Sequence, residues 1–418
     1  MLKLSQAKFS EPDIATTKDE PLVIHQKSTQ TSDRLVIFVH GLGGGRYGKN
    51  ATWGNFPAFV FEDLSQVDVG LYQYVTLFER LKFWKSVKLN REAEVFADLI
   101  RDELSDYPSI VLIGHSMGGL LCKAVISHFV HHNETAVLSR IGGMVLMATP
   151  QLGSMRVPKS LQWLSSDFQA LKPHGEFVTT ITDTFQDYFH SSDERVVGFK
   201  RVAIPTWAVL GSSDFWVDRL SAGVGLSSDR KKMARGSHTK IVKPDTRSGV
   251  YEWVRERIIS GLDRFKYDAF IASPMAAIKT EKQYQETRTQ VIEIQNIMKA
   301  TCRFKSIFFA GNDLKSKTEF DAADIALEDD MKILRDSRYF VLIYPQQVVS
   351  SVLFEAGWAL AFGKPSVYFV RKGVHLPFLM AKAEQAHLVA HVRIYEYSSW
   401  EDIGKIITDH GTRLWLRA

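Results

Sequence analysis

Cysteine is nearly absent from this chain, and its scarcity excludes a fold held together by disulfides. Only Cys122 and Cys302 occur among 418 residues, far apart and both in segments that look folded. Disulfide frameworks belong mainly to small secreted domains, whereas cytosolic proteins keep their thiols reduced. We therefore expect a cytoplasmic protein, long enough for two domains that each bury a hydrophobic core.

Long hydrophobic runs are also missing. No segment approaches the roughly 20 apolar residues that a membrane-spanning helix needs. Residues 1–30 are polar and contain Lys3, Lys8, Glu11 and Asp13, so they do not have the pattern of a signal peptide. We expect a soluble protein whose first 30 residues form either a mobile arm or an added strand.

Several ligand-binding motifs do not occur. The sequence contains no zinc-finger spacing, HExxH, P-loop, GxGxxG or nucleic-acid-binding signature, so we expect neither a metal site nor a nucleic-acid partner. The net charge of +5 is mild. One basic cluster is predicted to be a solvated surface loop, with an anionic headgroup or phosphate site as the alternative: Arg230, Lys231, Lys232 and Arg235.

The most informative segment is Gly114-His115-Ser116-Met117-Gly118, which follows the apolar run Ser109–Ile113 and precedes a helix-forming stretch. Strand, G-x-S-x-G and helix in this order are typical of the nucleophile elbow of α/β-hydrolases. The tight turn requires glycine at positions 114 and 118, and it exposes the Ser116 hydroxyl at the sheet edge. Ser116 is therefore the predicted nucleophile.

Backbone donors for an oxyanion are predicted from a second strand. Arg34–Val39 is an apolar run that continues directly into the glycine-rich segment His40–Gly45. The backbone N–H groups of Met117 and of Leu42 or Gly43 would hold the developing negative charge. We expect His40 to order this loop and His115 to pack beside the elbow.

The acid and the base follow in the chain order that this fold uses. The apolar run Ile204–Leu210 is followed by Asp214 and Asp218, and His238 comes later in a loop. Asp214 is favoured as the acid because it lies directly after the strand, and Asp218 remains the alternative. His238 is the predicted general base.

Residues 32–262 resemble the lipase-like serine hydrolases that include GPI inositol-deacylases and serine-active-site lipid-remodelling proteins. The resemblance implies an ester bond in a lipid or acyl substrate, no cofactor, and Ser116, Asp214 and His238 as the triad. No long apolar lid is visible, because residues 155–200 mix Trp163, Phe168, Phe177 and Phe185 with polar groups. The matching motifs are Phe38–Gly44, Thr52-Trp53, Gly114–Leu120 and Met147–Ser154.

A second α/β pattern begins after Asp263–Lys266. We predict an arm over 1–30, an α/β-hydrolase domain over 31–263 and a smaller flavodoxin-like parallel-sheet domain over 264–418. A helix over 251–262 closes the larger domain. The candidate strands of the smaller domain are 267–272, 304–310, 338–344, 366–371 and 392–396, and its candidate helices are 280–299, 321–335 and 351–362.

Glu355 is the candidate functional residue of this second domain. It is the only acid in an otherwise apolar helix, and we place it in the first turn, where the helix dipole would favour a carboxylate. No serine stands three residues before it, so it does not form a capping box. A carboxylate among Phe354, Trp358 and Leu360 is desolvated, which favours a functional role over a purely local one.

Residues 266–400 resemble the nucleoside 2-deoxyribosyltransferases and the Toll/interleukin-receptor (TIR)-like domains, on the motifs Tyr267–Pro274, Phe309-Ala310-Gly311, Asp336–Ile343, Glu355–Ala359 and Gly363-Lys364-Pro365. The resemblance implies that Glu355 is a catalytic carboxylate and that Ser273, Pro274 and Gly311 line a nucleotide cleft. Trp358 or Phe309 would stack on a base, with a core role as the alternative. Asp330 and Asp336 are expected to be surface acids.

Three hypotheses follow. In the first, a serine esterase is switched by a TIR-like domain that binds a nucleotide or an NAD-derived signal, as in bacterial antiviral systems that the pairing resembles. In the second, Glu355 also cleaves NAD, because a carboxylate stabilises an oxocarbenium-like transition state. In the third, the C-terminal domain only assembles homo-oligomers. Transient contact with a membrane surface is a further expectation for the lipid substrate.

Overall fold

The computed structural model describes residues 1–28, 32–74, 89–151, 180–185, 189–190, 202–214, 217, 223, 225–317, 323–385 and 391–415. The chain divides into two units. Unit 1 comprises Met1–His131, Arg140–Val196 and Ala203–Asp263, and unit 2 comprises His132–Ser139, Val197–Val202 and Arg264–Ala418.

In the part of the chain that the structure describes, ten strands precede residue 264. They are β1 (Leu2–Gln6), β2 (Leu22–Lys27), β3 (Arg34–Val39), β4 (Asp68–Tyr72), β5 (Ser109–His115), β6 (Ile141–Met147), β7 (Phe189–His190), β8 (Val202–Ala203), β9 (Thr206–Gly211) and β10 (Lys231–Ala234). Eight of them form one sheet in the order β1-β2-β4-β3-β5-β6-β9-β10, and β7 pairs with β8. In the large sheet β2 and β4 pair antiparallel, and the other neighbouring strands are parallel.

The central strands of the large sheet are buried on both faces. Every residue of β5 and β6 is buried, as expected for parallel strands covered by helices. Among the described residues before 264, the structure has the helices α1 (Ile14–Thr17), α2 (Phe56–Asp63), α3 (Leu89–Asp98), α4 (Met117–His131), α5 (Thr135–Arg140) and α6 (Val250–Leu262).

Two peripheral segments join the sheet as strands. β1 pairs in parallel with β2, so the polar N-terminal residues contribute edge structure. The prediction of a surface loop at Lys231 and Lys232 is wrong, because both lie in β10, whose backbone pairs with β9. Charged side chains are common on edge strands, where they disfavour pairing with another chain.

Unit 2 contains a five-stranded sheet in the order β12-β11-β13-β14-β15, with every neighbouring pair parallel. Its strands are β11 (Tyr267–Ala272), β12 (Ile307–Phe308), β13 (Ser337–Tyr344), β14 (Ser366–Arg371) and β15 (Val392–Tyr397), and its longer helices are α7 (Glu281–Cys302), α8 (Ala323–Arg335), α9 (Ser351–Ala361) and α10 (Trp400–His410). A hydrophobic cluster covers each face of the sheet. The predicted small parallel sheet is confirmed.

β12 is shorter than the predicted strand over 304–310. The backbone N–H groups of Lys305 and Ser306 donate to the Asp268 carboxylate at 2.8 and 3.1 Å. The chain then turns into a short 3₁₀ helix at Ala310–Asn312. The Asp268 carboxylate before β12 and the 3₁₀ helix after it thus bind backbone groups that a longer strand would have paired with its neighbour.

Cys122 and Cys302 are both buried and are not bonded to each other. None of the helices in the described residues is both long enough and apolar enough to cross a membrane.

Candidate functional site

Ser116 occupies a strained turn between β5 and α4. Its φ of 52° is in the left-handed region, which costs about 1–2 kcal/mol for a residue other than glycine. The turn is held by the Ser116 N–H, which donates to the Met147 carbonyl at 2.9 Å, and by the Gly119 N–H, which donates to the Ser116 carbonyl at 3.0 Å. The backbone therefore fixes the position of this serine.

Close backbone approach explains the glycines around Ser116. A Cβ on Gly118 would lie 2.3 Å from the carbonyl oxygens of both Val39 and His40, and a Cβ on Gly114 would lie 2.4 Å from the Gly119 Cα. These distances are shorter than any van der Waals contact. The predicted need for glycine at both positions follows from how tightly the helix start packs on β3 and β5.

The glycine-rich segment lies against the elbow. A Cβ on Gly41 would be 3.0 Å from the Ser116 Cβ, so this backbone passes directly beside the serine. Gly43 has a φ of 70°, and the Gly44 N–H donates to the Gly41 carbonyl at 3.1 Å, which closes a tight turn. Met117 is the first residue of α4, so its N–H belongs to the free donors of a helix N-terminus.

Asp214 and His238 are joined by a hydrogen bond. The His238 Nδ1 lies 2.8 Å from the Asp214 Oδ2, and the two side chains are only 13% and 3% exposed. Because an ionised carboxylate can only accept, Nδ1 is the donor and the neutral ring keeps its lone pair on Nε2. A second Asp214 oxygen accepts from the Val217 N–H at 3.1 Å.

Ser116, Asp214 and His238 lie at one edge of the large sheet. Ser116 follows β5, Asp214 follows β9 and His238 comes after β10, and these strands all run in the same direction. Their carboxyl ends therefore meet at the same edge, where α/β sheets place their sites. The alternative acid, Asp218, lies outside the described residues.

His115 contacts His238 directly. Its Nε2 lies 3.0 Å from the His238 carbonyl oxygen, so Nε2 is the donor, and the two rings are 4.8 Å apart. Burial and, to a lesser extent, the neighbouring His238 lower the pKa of His115 to about 3. From the sequence we expected His115 to pack beside the elbow. Its contact with His238 could not be predicted, because the two residues are 123 positions apart.

His40 contacts the backbone of the glycine-rich segment. Its Nδ1 lies 2.8 Å from the Gly41 carbonyl, and its ring stacks on Tyr74 with centroids 4.4 Å apart. The Tyr74 hydroxyl donates to the His40 carbonyl at 2.8 Å. Burial lowers the pKa of His40 to about 4, so the ring is neutral. These contacts suit an ordering role for His40.

Lys123 is a buried lysine that no sequence motif marks out. It lies on α4, and its Nζ donates to the Gln151 side chain at 3.0 Å and sits 4.3 Å from the centre of the Phe185 ring. Burial lowers the pKa of Lys123 to about 7. Phe185 lies within the described residues, whereas Trp163, Phe168 and Phe177 lie outside them.

Glu355 is buried on α9 in unit 2. The helix begins at Ser351, so the glutamate lies in its second turn and not, as predicted, in its first. It is therefore too far from the helix N-terminus for the helix dipole to explain it. Burial and, to a lesser extent, the Asp330 carboxylate raise the pKa of Glu355 to about 7, while a hydrogen bond from Ser351 opposes the shift.

Asp330 belongs with Glu355 and is not the surface acid that we expected. Burial raises its pKa to about 6, with a further contribution from Asp329. Asp336 is partly exposed, with its carboxylate 3.5 Å from the Arg335 Nε. The sequence could not separate the two acids, because burial of Asp330 depends on how α8 packs in unit 2.

The predicted cleft residues are distributed around the carboxyl ends of the unit 2 strands. Ser273 and Pro274 follow β11 and are buried, and within the described residues the Ser273 hydroxyl has no hydrogen-bond partner. Gly311 follows β12 and packs on the Phe309 ring, which is itself in the core. Trp358 is 37% exposed on α9. Of the two aromatic candidates, Trp358 alone reaches solvent.

The elbow, the glycine-rich backbone and the Asp214–His238 pair define an α/β-hydrolase type of site. A family model of the alpha/beta hydrolase family matches residues 36–279, more than half of the chain. The chain belongs to this family. Its fold is an α/β-hydrolase domain with a large mixed sheet, followed by a smaller domain with an all-parallel sheet.

Several solved structures are weakly similar to parts of the chain. A lipase of Bacillus licheniformis, BlEst2, is 14% identical, with 54% of this chain and 93% of the lipase covered and a TM-score of 0.39. The phospholipase PlaB of Legionella pneumophila, solved with thio-NAD, is 16% identical, with 65% of this chain and 63% of PlaB covered and a TM-score of 0.36. The CMP N-glycosidase BcmB of Clostridium botulinum is 15% identical, with 33% and 95% covered and a TM-score of 0.26. No curated protein matches the chain.

Proposed function

We propose that this chain is a serine hydrolase that cleaves carboxylic esters of lipid or acyl substrates. The observation that supports it most is the 2.8 Å hydrogen bond between His238 and Asp214 at the sheet edge that also carries the strained Ser116. A serine held at this kind of turn, together with an imidazole oriented by a carboxylate, is the machinery of acyl transfer. The reaction requires no cofactor.

In this mechanism His238 takes the Ser116 proton on Nε2 as the serine oxygen attacks the ester carbonyl. Asp214 keeps the proton on Nδ1 and stabilises the imidazolium that forms. The backbone N–H of Met117, together with that of Leu42 or Gly43, stabilises the oxyanion. The protonated His238 then protonates the leaving alcohol, and water releases the acyl group by the same steps.

Hydrolysis of p-nitrophenyl esters by purified full-length protein tests the chemistry. Ser116→Ala and His238→Gln should each lower kcat/KM by about 10⁴-fold or more. Ser127→Ala is the matched control, because Ser127 lies on the same helix α4 and its hydroxyl only donates to the Lys123 carbonyl. It should keep kcat/KM within about twofold. Full activity in Ser116→Ala would remove the proposal.

The natural substrate requires a separate measurement. Lipid extracts incubated with wild type and with Ser116→Ala, then compared by mass spectrometry, should show a lipid ester that only the wild type consumes. A water-soluble acyl ester consumed instead would keep the chemistry and replace the lipid assignment.

We also propose that unit 2 binds a nucleotide or NAD-derived ligand near Glu355 and regulates the hydrolase. The supporting observation is the buried Glu355 carboxyl, whose pKa is raised to about 7 by burial and by Asp330. Groups with strongly shifted pKa values concentrate at functional sites. Cleavage of NAD by Glu355 is the second candidate function, and a role in antiviral defence is what the resemblance implies.

Two assays separate these possibilities. Nicotinamide release from NAD should be lost in Glu355→Gln if this carboxylate supports N-glycosidic cleavage, and equal null rates would remove that activity. Ester hydrolysis that rises only when a nucleotide is added would support regulation. If neither assay responds, the remaining hypothesis is that unit 2 serves assembly, which the sedimentation behaviour of the full chain would test.

A further inference from the structure

The most exposed large apolar side chains of the described residues all lie at one edge of the unit 2 sheet. Val349 is 95% exposed, Phe378 is 80% exposed and Leu379 is 81% exposed, whereas the next most exposed, Ile325, is 54% exposed. Val349 follows β13, and Phe378 and Leu379 follow β14, which pairs in parallel with β13. All three therefore lie in loops at the carboxyl edge.

The 372–385 loop that carries Phe378 and Leu379 is an ordered structure. The Val374 N–H donates to the Arg371 carbonyl at 2.9 Å, and the Ala381 N–H donates to the Pro377 carbonyl at 3.0 Å. Four apolar side chains of the same loop pack inward on the core beneath α9: Val374, Leu376, Met380 and Ala383. With these anchors in place, Phe378 and Leu379 are held outward.

Cations flank the exposed pair. Arg371 and Lys372 at the start of the loop and Lys382 near its end are all exposed, and Glu384 is the exposed acid of the loop. An apolar tip between cations matches the chemistry of a membrane surface that carries anionic headgroups. Lysine and arginine can place their charges among the headgroups while the apolar tip enters the acyl boundary.

We propose that the 372–385 loop docks unit 2 on an anionic lipid bilayer by inserting Phe378 and Leu379, with Lys372 and Lys382 contacting the headgroups. A stable protein partner would need about 800 Å² of surface on each side, and a projecting pair of side chains does not offer it. A bilayer accepts such a small wedge, because lipids rearrange around it. This inference does not depend on the proposed ester chemistry.

Vesicle co-sedimentation of the full chain tests the proposal. Wild type should bind vesicles of phosphatidylcholine mixed with phosphatidylglycerol, and it should bind pure phosphatidylcholine more weakly. The double variant Phe378→Asp/Leu379→Asp should lower the partition coefficient at least about tenfold. Val95→Asp in unit 1 is the matched control, since Val95 is an exposed apolar residue of α3, and it should bind as wild type does.

Two further variants test how much the lysine charges contribute to vesicle binding. Lys372→Gln and Lys382→Gln should each weaken binding to the anionic vesicles about fivefold, without changing binding to pure phosphatidylcholine. Added salt should reduce the difference between the two kinds of vesicle. Circular dichroism of each variant should match that of wild type, because the substituted side chains are exposed.

Three results would overturn the proposal. The first is that wild type does not sediment with the anionic vesicles, and the second is that the double variant binds them as tightly as wild type. Alternatively, the double variant could abolish self-association of the chain in sedimentation velocity while vesicle binding stays unchanged, which would make this edge a surface between copies. Ser116→Ala should bind vesicles normally, so failure here and failure of the ester chemistry are distinguishable.

Discussion

The two units fix their candidate catalytic groups by different physical means. In unit 1 the backbone places Ser116, through a positive φ and through glycines that approach carbonyl oxygens too closely for any side chain. In unit 2 Glu355 lies inside a regular helix, where a Cβ on Gly357 would meet nothing within 4 Å. The first site is therefore defined by local geometry, and the second by burial of an acid.

The two units also differ in their buried titratable groups, although unit 1 shares with unit 2 a buried carboxyl, that of Asp68, whose pKa burial raises. Unit 1 encloses three imidazoles, and burial lowers the pKa of His25 and His40 to about 4 and that of His115 to about 3. Unit 2 encloses the carboxyls of Glu355 and Asp330, whose pKa values burial raises to about 7 and about 6. The stability contributed by these imidazoles in unit 1 and by these carboxyls in unit 2 should consequently change with pH in opposite directions.

The largest expected effect concerns the hydrogen bond that unit 1 depends on. Asp214→Asn should lower kcat/KM for p-nitrophenyl esters by about 10⁴-fold, because an amide favours the wrong imidazole tautomer. Asp218→Asn is the matching variant, because Asp218 is the alternative acid that the sequence analysis kept open. Steady-state kinetics that showed the large loss in Asp218→Asn and not in Asp214→Asn would reverse the assignment.

The next effect contrasts a glycine from each unit. Gly118→Ala should destabilise unit 1 by about 3 kcal/mol, because the new methyl group would overlap two carbonyl oxygens. Gly357→Ala should instead stabilise α9 by about 0.5–1 kcal/mol, since it lies in a helix interior with open space around it. Chemical unfolding of the full chain measures both. Equal effects would show that the elbow can relax and that the contrast between the units is wrong.

The smallest effect is the pH response of unit 2. Unfolded Glu355 ionises near 4.5, and the folded group ionises near 7, so the folded state binds more protons in between, and stability falls as pH rises through that window. Glu355→Gln should therefore slow hydrogen exchange in unit 2 at pH 8 relative to wild type and leave it unchanged near pH 4. The control, Glu328→Gln, changes an exposed acid of α8.

Unit 1 should show the reverse slope in the same measurement. Its buried imidazoles stay neutral while the unfolded chain gains protons near pH 6.5, so its stability falls as pH drops from about 6.5 toward 4. Hydrogen exchange in unit 1 that was insensitive to acid would contradict the neutral, buried state of His25, His40 and His115.

Much of the candidate site in unit 1 could be predicted from the sequence, because its signals are local. The Ser116 elbow is a continuous motif, and Asp214 directly follows an apolar strand. The contact between His115 and the His238 carbonyl could not be predicted, since it joins residues 123 positions apart. The burial of Lys123 was equally invisible, because it depends on Gln151 and Phe185 packing against α4.

Unit 2 shows where periodicity is insufficient. The order of its strands and helices followed from alternating apolar and amphipathic stretches, and α9 begins at Ser351 as predicted, but Glu355 is its fifth residue and was wrongly placed in the first turn. Asp330 was assigned to the surface because a helix pattern does not reveal which polar residue a neighbouring helix will cover. Residues 304–306 were assigned to a strand although the Asp268 carboxylate takes two of their N–H groups.

Covalent labelling with a fluorophosphonate tests whether Ser116 is a nucleophile that His238 activates. The full chain should gain one phosphonate group, peptide mass spectrometry should locate it on Ser116, and His238→Gln should prevent the reaction. No adduct on Ser116 in folded protein, or an adduct that forms equally well without His238, would contradict this assignment.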